Sequence, residues 1–196
     1  MGDRTEGLCR LGYPQEGALP EVRLGIRDTM QRLLHCPVEC EKPLSGLSTL
    51  GVGGCAEYYV EPTERDDFLA LHRLARQENV PLHILGGGSN IVFADGLIPG
   101  IVVSTRRWDS AWWTNREGLV AADVQAGHRL ASLVNTAFKE GLTGLECALG
   151  IPGTVGGAVS GNAGAGGRSI GDCLEEILSV EPGGSLRRWR RGEFCR

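Results

Sequence analysis

The stretch GLECALGIPGTVGGAVSGNAGAGG, residues 144–167, is rich in glycine and decides how the rest of the chain is interpreted. A second glycine turn, GGGSN at residues 86–90, follows the apolar segment 81–85. Glycine has no Cβ, so successive glycines let the backbone approach a ligand and aim several N–H groups at one point. A dinucleotide pyrophosphate needs such a set of donors. The turns at 86–90 and 150–157 together therefore predict a dinucleotide site.

A third glycine run, Gly51–Gly54, is weaker support, because a tight turn without a ligand explains it equally well. The residues Gly51-Val-Gly-Gly-Cys-Ala56 match the GxGxxA pattern of Rossmann folds. That pattern must follow a strand and open a helix, whereas here a segment with proline and serine precedes it and a predicted strand follows it. The sequence contains no GxxxxGK[ST] string, so no P-loop is predicted.

The composition is that of a folded chain and disfavours several function classes. Hydrophobic residues make up 41% of the 196 residues and the formal net charge is −4, so no general attraction to nucleic acid or to an anionic membrane is predicted. Seven dispersed cysteines without a CxxC pair favour free thiols over a zinc site. No segment approaches the ~18 apolar residues of a membrane span, and we expect a cytoplasmic protein without a metal.

Hydrophobic periodicity predicts two units of mixed helix and strand. The first unit contains short strands over residues 56–61, 81–85, 91–94 and 100–104. It also contains a helix whose apolar stripe is Phe68, Leu71, Leu74 and Ala75. The second unit contains a strand, a helix, the glycine stretch and a hairpin, over residues 119–125, 128–140, 144–167 and 174–191. A further helix is predicted over residues 21–35.

Several motifs resemble the UDP-N-acetylenolpyruvoylglucosamine reductase family. Leu85-Gly-Gly-Gly-Ser-Asn-Ile91 resembles the first flavin phosphate loop of that family. Gly150-Ile-Pro-Gly-Thr-Val-Gly-Gly-Ala-Val159 and Asn162-Ala-Gly-Ala165 resemble its second. Thr49-Leu-Gly-Val-Gly-Gly-Cys-Ala56 and Ile170-Gly-Asp172 agree in order and spacing. The resemblance covers residues 41–181.

The resemblance implies an α+β fold with two lobes, of the vanillyl-alcohol-oxidase (PCMH) type, with FAD in the groove between them. It implies a first FAD-binding lobe over residues 41–106 and a second over 107–196. Residues 1–40, before the region of resemblance, are predicted to form an N-terminal extension with one helix. The implied FAD contacts are backbone N–H groups of both glycine loops and a few side chains. These residues are Gly86, Gly87, Gly88, Ser89, Asn90, Ile151, Pro152, Gly153, Thr154, Gly156, Gly157, Asn162, Ala163 and Gly164.

The activity implied by the resemblance is the reduction of UDP-N-acetylglucosamine enolpyruvate to UDP-N-acetylmuramate in peptidoglycan precursor synthesis. NADPH is the implied hydride donor, and the UDP-sugar enolpyruvyl ether is the implied small-molecule substrate. Neither nucleic acid nor a membrane is an implied partner.

The family continues into a substrate-binding domain, and we expect that domain to be absent here, with the second lobe incomplete at its C-terminus. Weak FAD binding and inefficient turnover would follow, and a separate chain that carries the missing domain is an expected partner. Arg196 is a candidate for the family's active-site arginine. Cys195 is equally a candidate for the cysteine that precedes that arginine's segment in the family, and an ordinary terminal charge explains Arg196 equally well. The alternatives are a non-catalytic FAD-binding module and a different flavin oxidoreductase on the same fold. The GIPGTVGG string disfavours the latter.

Overall fold

The computed structural model describes residues 21–116 and 118–194. Most of the predicted N-terminal extension before its helix, and the candidates Cys195 and Arg196, lie outside the described residues. The α-helices of this part are α1 (Glu21–Leu33), α2 (Arg65–Gln77), α3 (Leu130–Lys139) and α4 (Val155–Ser160). The strands are β1 (Val38–Pro43), β2 (Cys55–Val60), β3 (Leu82–Leu85), β4 (Leu97–Ser104), β5 (Ala111–Arg116), β6 (Leu119–Val124), β7 (Gly164–Ala165), β8 (Arg168–Ser169), β9 (Glu176–Val180) and β10 (Leu186–Arg190). Short 3-10 helices cover Ser45–Leu47, Glu146–Ala148 and Ile170–Cys173.

The main sheet has four strands in the order β1-β2-β4-β3. Strand β1 is antiparallel to β2, whereas β2 and β3 are both parallel to the central strand β4. The register pairs Val60 with Val103 and Leu85 with Ser104. The carboxyl ends of the three parallel strands therefore meet at one edge, which is where ligands bind in sheets of this kind. The first glycine loop begins at this edge.

Buried side chains lie on both faces of the main sheet, since successive side chains along a strand point to opposite faces. On one face, Tyr58 and Ile101 pack with Met30 of α1 and with Phe68 and Leu71 of α2. On the other face a smaller cluster forms, which consists of Leu44, Ala56, Tyr59, Leu85 and Val102. Helix α1, predicted as part of an extension, thus contributes to the core of the first unit.

The second core lies around α3 and α4. Leu130 and Leu133 of α3 pack with Val155 and Ala158 of α4, and Ile170 closes the cluster. The hairpins β5–β6 and β9–β10 form separate two-stranded sheets. The division of the chain at residues 40 and 106 stays a prediction.

The predicted strand over residues 91–94 is wrong, since this segment has no regular secondary structure. The Gly54 N–H donates a hydrogen bond to the Ala94 carbonyl over 2.9 Å. A Cβ on Gly53 would lie 2.4 Å from the Phe93 Cβ, and a Cβ on Gly54 would lie 1.7 Å from the Gly96 carbonyl oxygen. The apolar residues thus pack under a glycine turn instead of pairing with a strand. The run Gly51–Gly54 serves this close backbone packing.

Several elements were not predicted from the sequence, namely β1, β5, α4, the two-residue strands β7 and β8, and the short 3-10 helices. Strand β1 carries mostly exposed charged residues at the sheet edge, so no alternating apolar pattern marks it. Strand β5 lies in a hairpin that is largely exposed on both faces. Helix α4 contains two glycines, which are poor helix formers, and its packing in the second core outweighs that preference.

A buried carboxylate links the start of β1 to α2. Asp67 is fully buried and accepts hydrogen bonds from the His35 backbone N–H over 3.1 Å and from His35 Nδ1 over 2.9 Å. Within the described residues, the other carboxylate oxygen, Oδ2, has no hydrogen-bond partner. The hydrogen bond and the charge of Asp67 raise the pKa of His35 above its ordinary 6.5. The folded protein therefore holds a proton on His35 more tightly than the unfolded chain does.

This proton linkage predicts that stability falls as the pH rises through the neutral range. The stabilisation is fully present below about pH 6.5, the ordinary histidine pKa, and is lost as the pH rises through the higher pKa of the folded state. We expect the free energy of unfolding to drop more between pH 6 and pH 8.5 in the wild type than in His35→Gln. Urea unfolding at both pH values measures this difference. The matched control is the exposed His83→Gln, which should follow the wild type, and equal slopes for wild type and His35→Gln would contradict the assignment.

Candidate functional site

The first glycine loop, Gly86–Asn90, is held in place by the segment that follows β1. Gly88 has a φ of +72°, and a Cβ there would lie 1.9 Å from the Leu47 carbonyl oxygen. The Thr49 N–H donates to the Gly88 carbonyl over 2.9 Å. Only glycine fits at this position, because any side chain would meet both a strained φ and a fixed backbone oxygen.

The second loop, Gly150–Gly157, is anchored to the start of α3. The Leu130 N–H donates to the Gly153 carbonyl over 3.1 Å, and Gly153 has a φ of +108°. Thr154 is the N-cap of α4, and its hydroxyl oxygen accepts from the Gly157 N–H over 3.3 Å. The loop conformation is therefore set by a cap and by backbone contacts within the second core.

The structure brings the two loops into direct contact. A Cβ on Gly86 would lie 2.6 Å from Thr154 Oγ1, and a Cβ on Gly87 would lie 2.9 Å from Gly153 Cα. A Cβ on Gly153 would lie 2.6 Å from Ser89 Oγ. Such distances leave no room for a side chain, so the glycines permit the backbones to meet. Two turns far apart in the sequence thereby form one continuous surface.

The hydrogen-bonding capacity of this surface suits an anion. Within residues 21–116 and 118–194, the backbone N–H groups of Gly86, Gly87, Ser89 and Thr154 donate no hydrogen bond. The carbonyls of Gly87 and Gly88, by contrast, accept bonds from the protein. Partly buried N–H groups without partners are costly unless a ligand or water accepts from them. The surface thus presents open donors, and the carbonyls of Gly87 and Gly88 are bonded elsewhere, which is an arrangement that suits a pyrophosphate.

Arg106 fixes the orientation of the first loop. Its Nη2 donates to the Leu47 carbonyl over 2.7 Å and to the Gly87 carbonyl over 3.0 Å. Holding the Gly87 carbonyl against the guanidinium turns the peptide so that its oxygen faces away from an incoming anion. Sequence reasoning did not find Arg106. Its only signal is its position directly after β4, at the sheet edge where the first loop begins.

The side chain of Tyr59, in strand β2 of the main sheet, is a neutral phenol. The Tyr59 hydroxyl donates to Glu61 Oε1 over 2.5 Å. Burial first, and then the bond to Glu61, raise the pKa of Tyr59 far above its ordinary value. Tyr59 therefore stays protonated at every physiological pH, and it supports the edge without contributing charge.

Other predicted site residues have backbone N–H groups that are already bonded within the protein. The Gly156 N–H donates to the Ala126 carbonyl over 2.8 Å, and the Gly157 N–H donates to Thr154. Asn162 has a φ of +43°, and its Oδ1 accepts from the Gly171 N–H over 3.1 Å. Pro152 has no N–H group. The backbone N–H groups of Ile151 and Ala163 also donate hydrogen bonds within the protein. Because their N–H groups are bonded, Gly156 and Gly157 can serve a ligand only by leaving room for it next to the backbone. The roles assigned to all of these residues stay predictions.

The matched region of the chain contains both loops. Residues 56–190 match the family described as FAD binding domain. The chain belongs to this FAD-binding domain family. FAD is its cofactor, and the open donors and the missing Cβ atoms of the two loops fit the FAD pyrophosphate.

Relatives of this FAD-binding domain are reductases by name. UDP-N-acetylenolpyruvoylglucosamine reductase of Syntrophus aciditrophicus is 39% identical over 170 residues, which are 86% of this chain and 54% of that protein. The enzyme of the same name from Geobacter metallireducens is 39% identical over 152 residues, or 78% of this chain and 50% of that protein. The chain thus spans about half the length of the curated relatives it matches. The similarity to these relatives gives no support to the predicted separate chain that carries the substrate-binding domain.

Solved structures confirm the predicted fold class. The UDP-N-acetylenolpyruvylglucosamine reductase of Thermus caldophilus has a TM-score of 0.62 at 30% identity, over 82% of this FAD-binding domain and 54% of that chain. A solvent-stable cholesterol oxidase has a TM-score of 0.64 at 18% identity, over 79% and 33% of the two chains. The second likeness concerns the fold alone. Among the described residues, no helix is long and apolar enough to cross a bilayer, and no cluster of three or more metal-binding side chains is present.

Proposed function

We propose that this FAD-binding domain serves the NADPH-dependent reduction of UDP-N-acetylglucosamine enolpyruvate to UDP-N-acetylmuramate, a cytoplasmic step of cell-wall precursor synthesis. The observation that carries the proposal is the contact between the loops 86–90 and 150–157, in a chain similar to reductases of this substrate. The NADPH donor and the UDP-sugar substrate rest on that similarity.

In this proposal the two loops bind and orient the cofactor. The N–H groups of Gly86, Gly87, Ser89 and Thr154 donate to the pyrophosphate, and the hydroxyls of Ser89 and Thr154 lie beside them. FAD supplies hydride transfer between the nicotinamide and the enolpyruvyl group when it is bound. The backbone N–H dipoles of the two loops are fixed in place, because the glycine backbones are already packed against each other. Reorganising these dipoles around the cofactor therefore costs little free energy.

A chimera tests the proposal directly. The matched 170-residue segment of this chain replaces its counterpart in the Syntrophus aciditrophicus reductase. We expect the chimera to bind FAD and to oxidise NADPH only when the enolpyruvyl UDP-sugar is added. A parallel chimera with Gly87→Ala should bind FAD more weakly and oxidise NADPH more slowly at the same FAD concentration.

The outcomes separate two alternatives. A folded chimera that binds FAD but leaves NADPH unoxidised with this substrate would contradict the reductase proposal and favour a non-catalytic FAD-binding module. NADPH oxidation that is independent of the UDP-sugar would point to another flavin oxidoreductase of the same fold.

A further inference from the structure

Two cysteine sulfurs touch beneath the second glycine loop. Cys147 lies in the 3-10 helix Glu146–Ala148, and Cys173 ends the 3-10 helix Ile170–Cys173. Their Sγ atoms are 4.0 Å apart, which is van der Waals contact between free thiols. A disulfide bond is about 2 Å long, so rotation of the two side chains must bring the sulfurs about 2 Å closer together.

The environments of the two thiols differ. Cys147 is 5% exposed and belongs to the second core. Cys173 is half-buried at the edge of that core, and its thiol donates to the Gly144 carbonyl over 2.7 Å. A reagent in solution therefore reaches Cys173 first, and Cys147 is placed to react second. The other described cysteines, at positions 36, 40 and 55, lie in the first unit.

We propose that Cys147 and Cys173 form a reversible intramolecular disulfide by exchange with a small disulfide such as oxidised glutathione. The Cys173 thiolate attacks one glutathione sulfur, so that the glutathione S–S bond breaks and one glutathione leaves as a thiolate. Cys147 then attacks the Cys173 sulfur of the mixed disulfide, and the second glutathione leaves. The two protein thiols are oxidised, one oxidised glutathione is reduced to two thiols, and these take up the two protons.

The chemistry of Cys173 makes this exchange slow at neutral pH. Burial first, and then the neighbouring Cys147, raise the pKa of Cys173 to about 11. Because only the thiolate attacks, the rate should rise about tenfold for each pH unit below that value. The pair is therefore suited to sustained oxidative conditions rather than to fast signalling.

The bond would close a loop that contains half of the proposed FAD site. The segment between Cys147 and Cys173 includes Gly153, Thr154 and helix α4. Closing it restricts the unfolded chain and limits movement of the second loop. We expect a higher midpoint of thermal unfolding after oxidation. The consequence for FAD rests on the proposed site: oxidation should slow FAD release by a few-fold.

Mass spectrometry after native oxidation tests the pairing without FAD. The full chain is incubated with oxidised glutathione at pH 8.5, quenched with acid, alkylated and digested. We expect one linked peptide pair that carries Cys147 and Cys173 and disappears on reduction. Cys147→Ser should instead retain glutathione on Cys173, whereas the matched control Cys40→Ser should form the same link as the wild type.

Two outcomes would overturn the inference. One is a stable glutathione adduct on Cys173 of the wild type without a link to Cys147. The other is a link from either residue to a different cysteine. Both readouts are independent of FAD, so a chain that forms the disulfide but binds no FAD would refute the proposed function and leave the disulfide intact.

Discussion

Gly87→Ala is expected to weaken FAD binding by about 30-fold or more while the chain stays folded. The added methyl group would lie 2.9 Å from Gly153 Cα, and neither backbone can yield without separating the two loops. Gly87 does not have a positive φ, so the effect is steric rather than conformational. Loss of about one charge-assisted hydrogen bond, ~1.5–3 kcal/mol, corresponds to roughly 10- to 150-fold in affinity. Titration with FAD, followed by flavin fluorescence, gives the two dissociation constants.

The matched control is Gly46→Ala. Gly46 lies in the exposed 3-10 helix Ser45–Leu47, and a Cβ there has no atom within 4 Å. This variant should bind FAD like the wild type. Circular dichroism and thermal unfolding of both variants confirm that they fold. If Gly87→Ala folds and keeps wild-type affinity, the contact between the loops does not shape the FAD site.

Arg106→Met is expected to weaken FAD binding by about tenfold. The substitution keeps part of the unbranched aliphatic side chain but removes the guanidinium, and with it both hydrogen bonds to the Leu47 and Gly87 carbonyls. Without them the Gly87 peptide is free to turn, and its oxygen can face the pyrophosphate. Tenfold corresponds to ~1.4 kcal/mol, which is close to the lower end of the ~1.5–3 kcal/mol range for one hydrogen bond to a charged group. Isothermal titration with FAD measures the change.

The neighbouring arginine provides the control. Arg107 is exposed, and Arg107→Met removes the same charge without touching either carbonyl. Arg106→Lys should fall between Arg106→Met and the wild type, because the ammonium keeps the charge and the donors but lies on a shorter side chain that does not reach as far as Nη2 of arginine. An equal loss in Arg106→Met and Arg107→Met would show that net charge, and not the position of the loop, controls FAD affinity.

The sequence predicted those features that are encoded locally. Consecutive glycines favour turns through their backbone conformation alone, so the local sequence predicts the loops 86–90 and 150–157. The sequence predicts the apolar stripe of α2 because Phe68, Leu71 and Leu74 recur at helical spacing. In the structure these three side chains are buried. The Pro182-Gly-Gly184 turn was found because glycines with positive φ suit a hairpin.

The remaining features depend on tertiary contacts. Arg106 reaches carbonyls that are 19 and 59 residues away in the sequence, and the parallel pairing of β3 with β4 brings them together. Residues 91–94 have the composition of a strand, but the glycine turn packed over Phe93 replaces strand pairing. Helix α4 forms against the propensity of its glycines because the Thr154 cap and the second core stabilise it.

Backbone amide NMR during FAD titration tests the central claim most directly. The account predicts that the amide resonances of Gly86, Gly87, Ser89 and Thr154 shift together, with one common dissociation constant, and saturate as FAD is added. The amides of Gly25 and Gly192, which lie outside the loops, should not move. Shifts confined to one loop, or none at saturating FAD in a folded sample, would contradict the account.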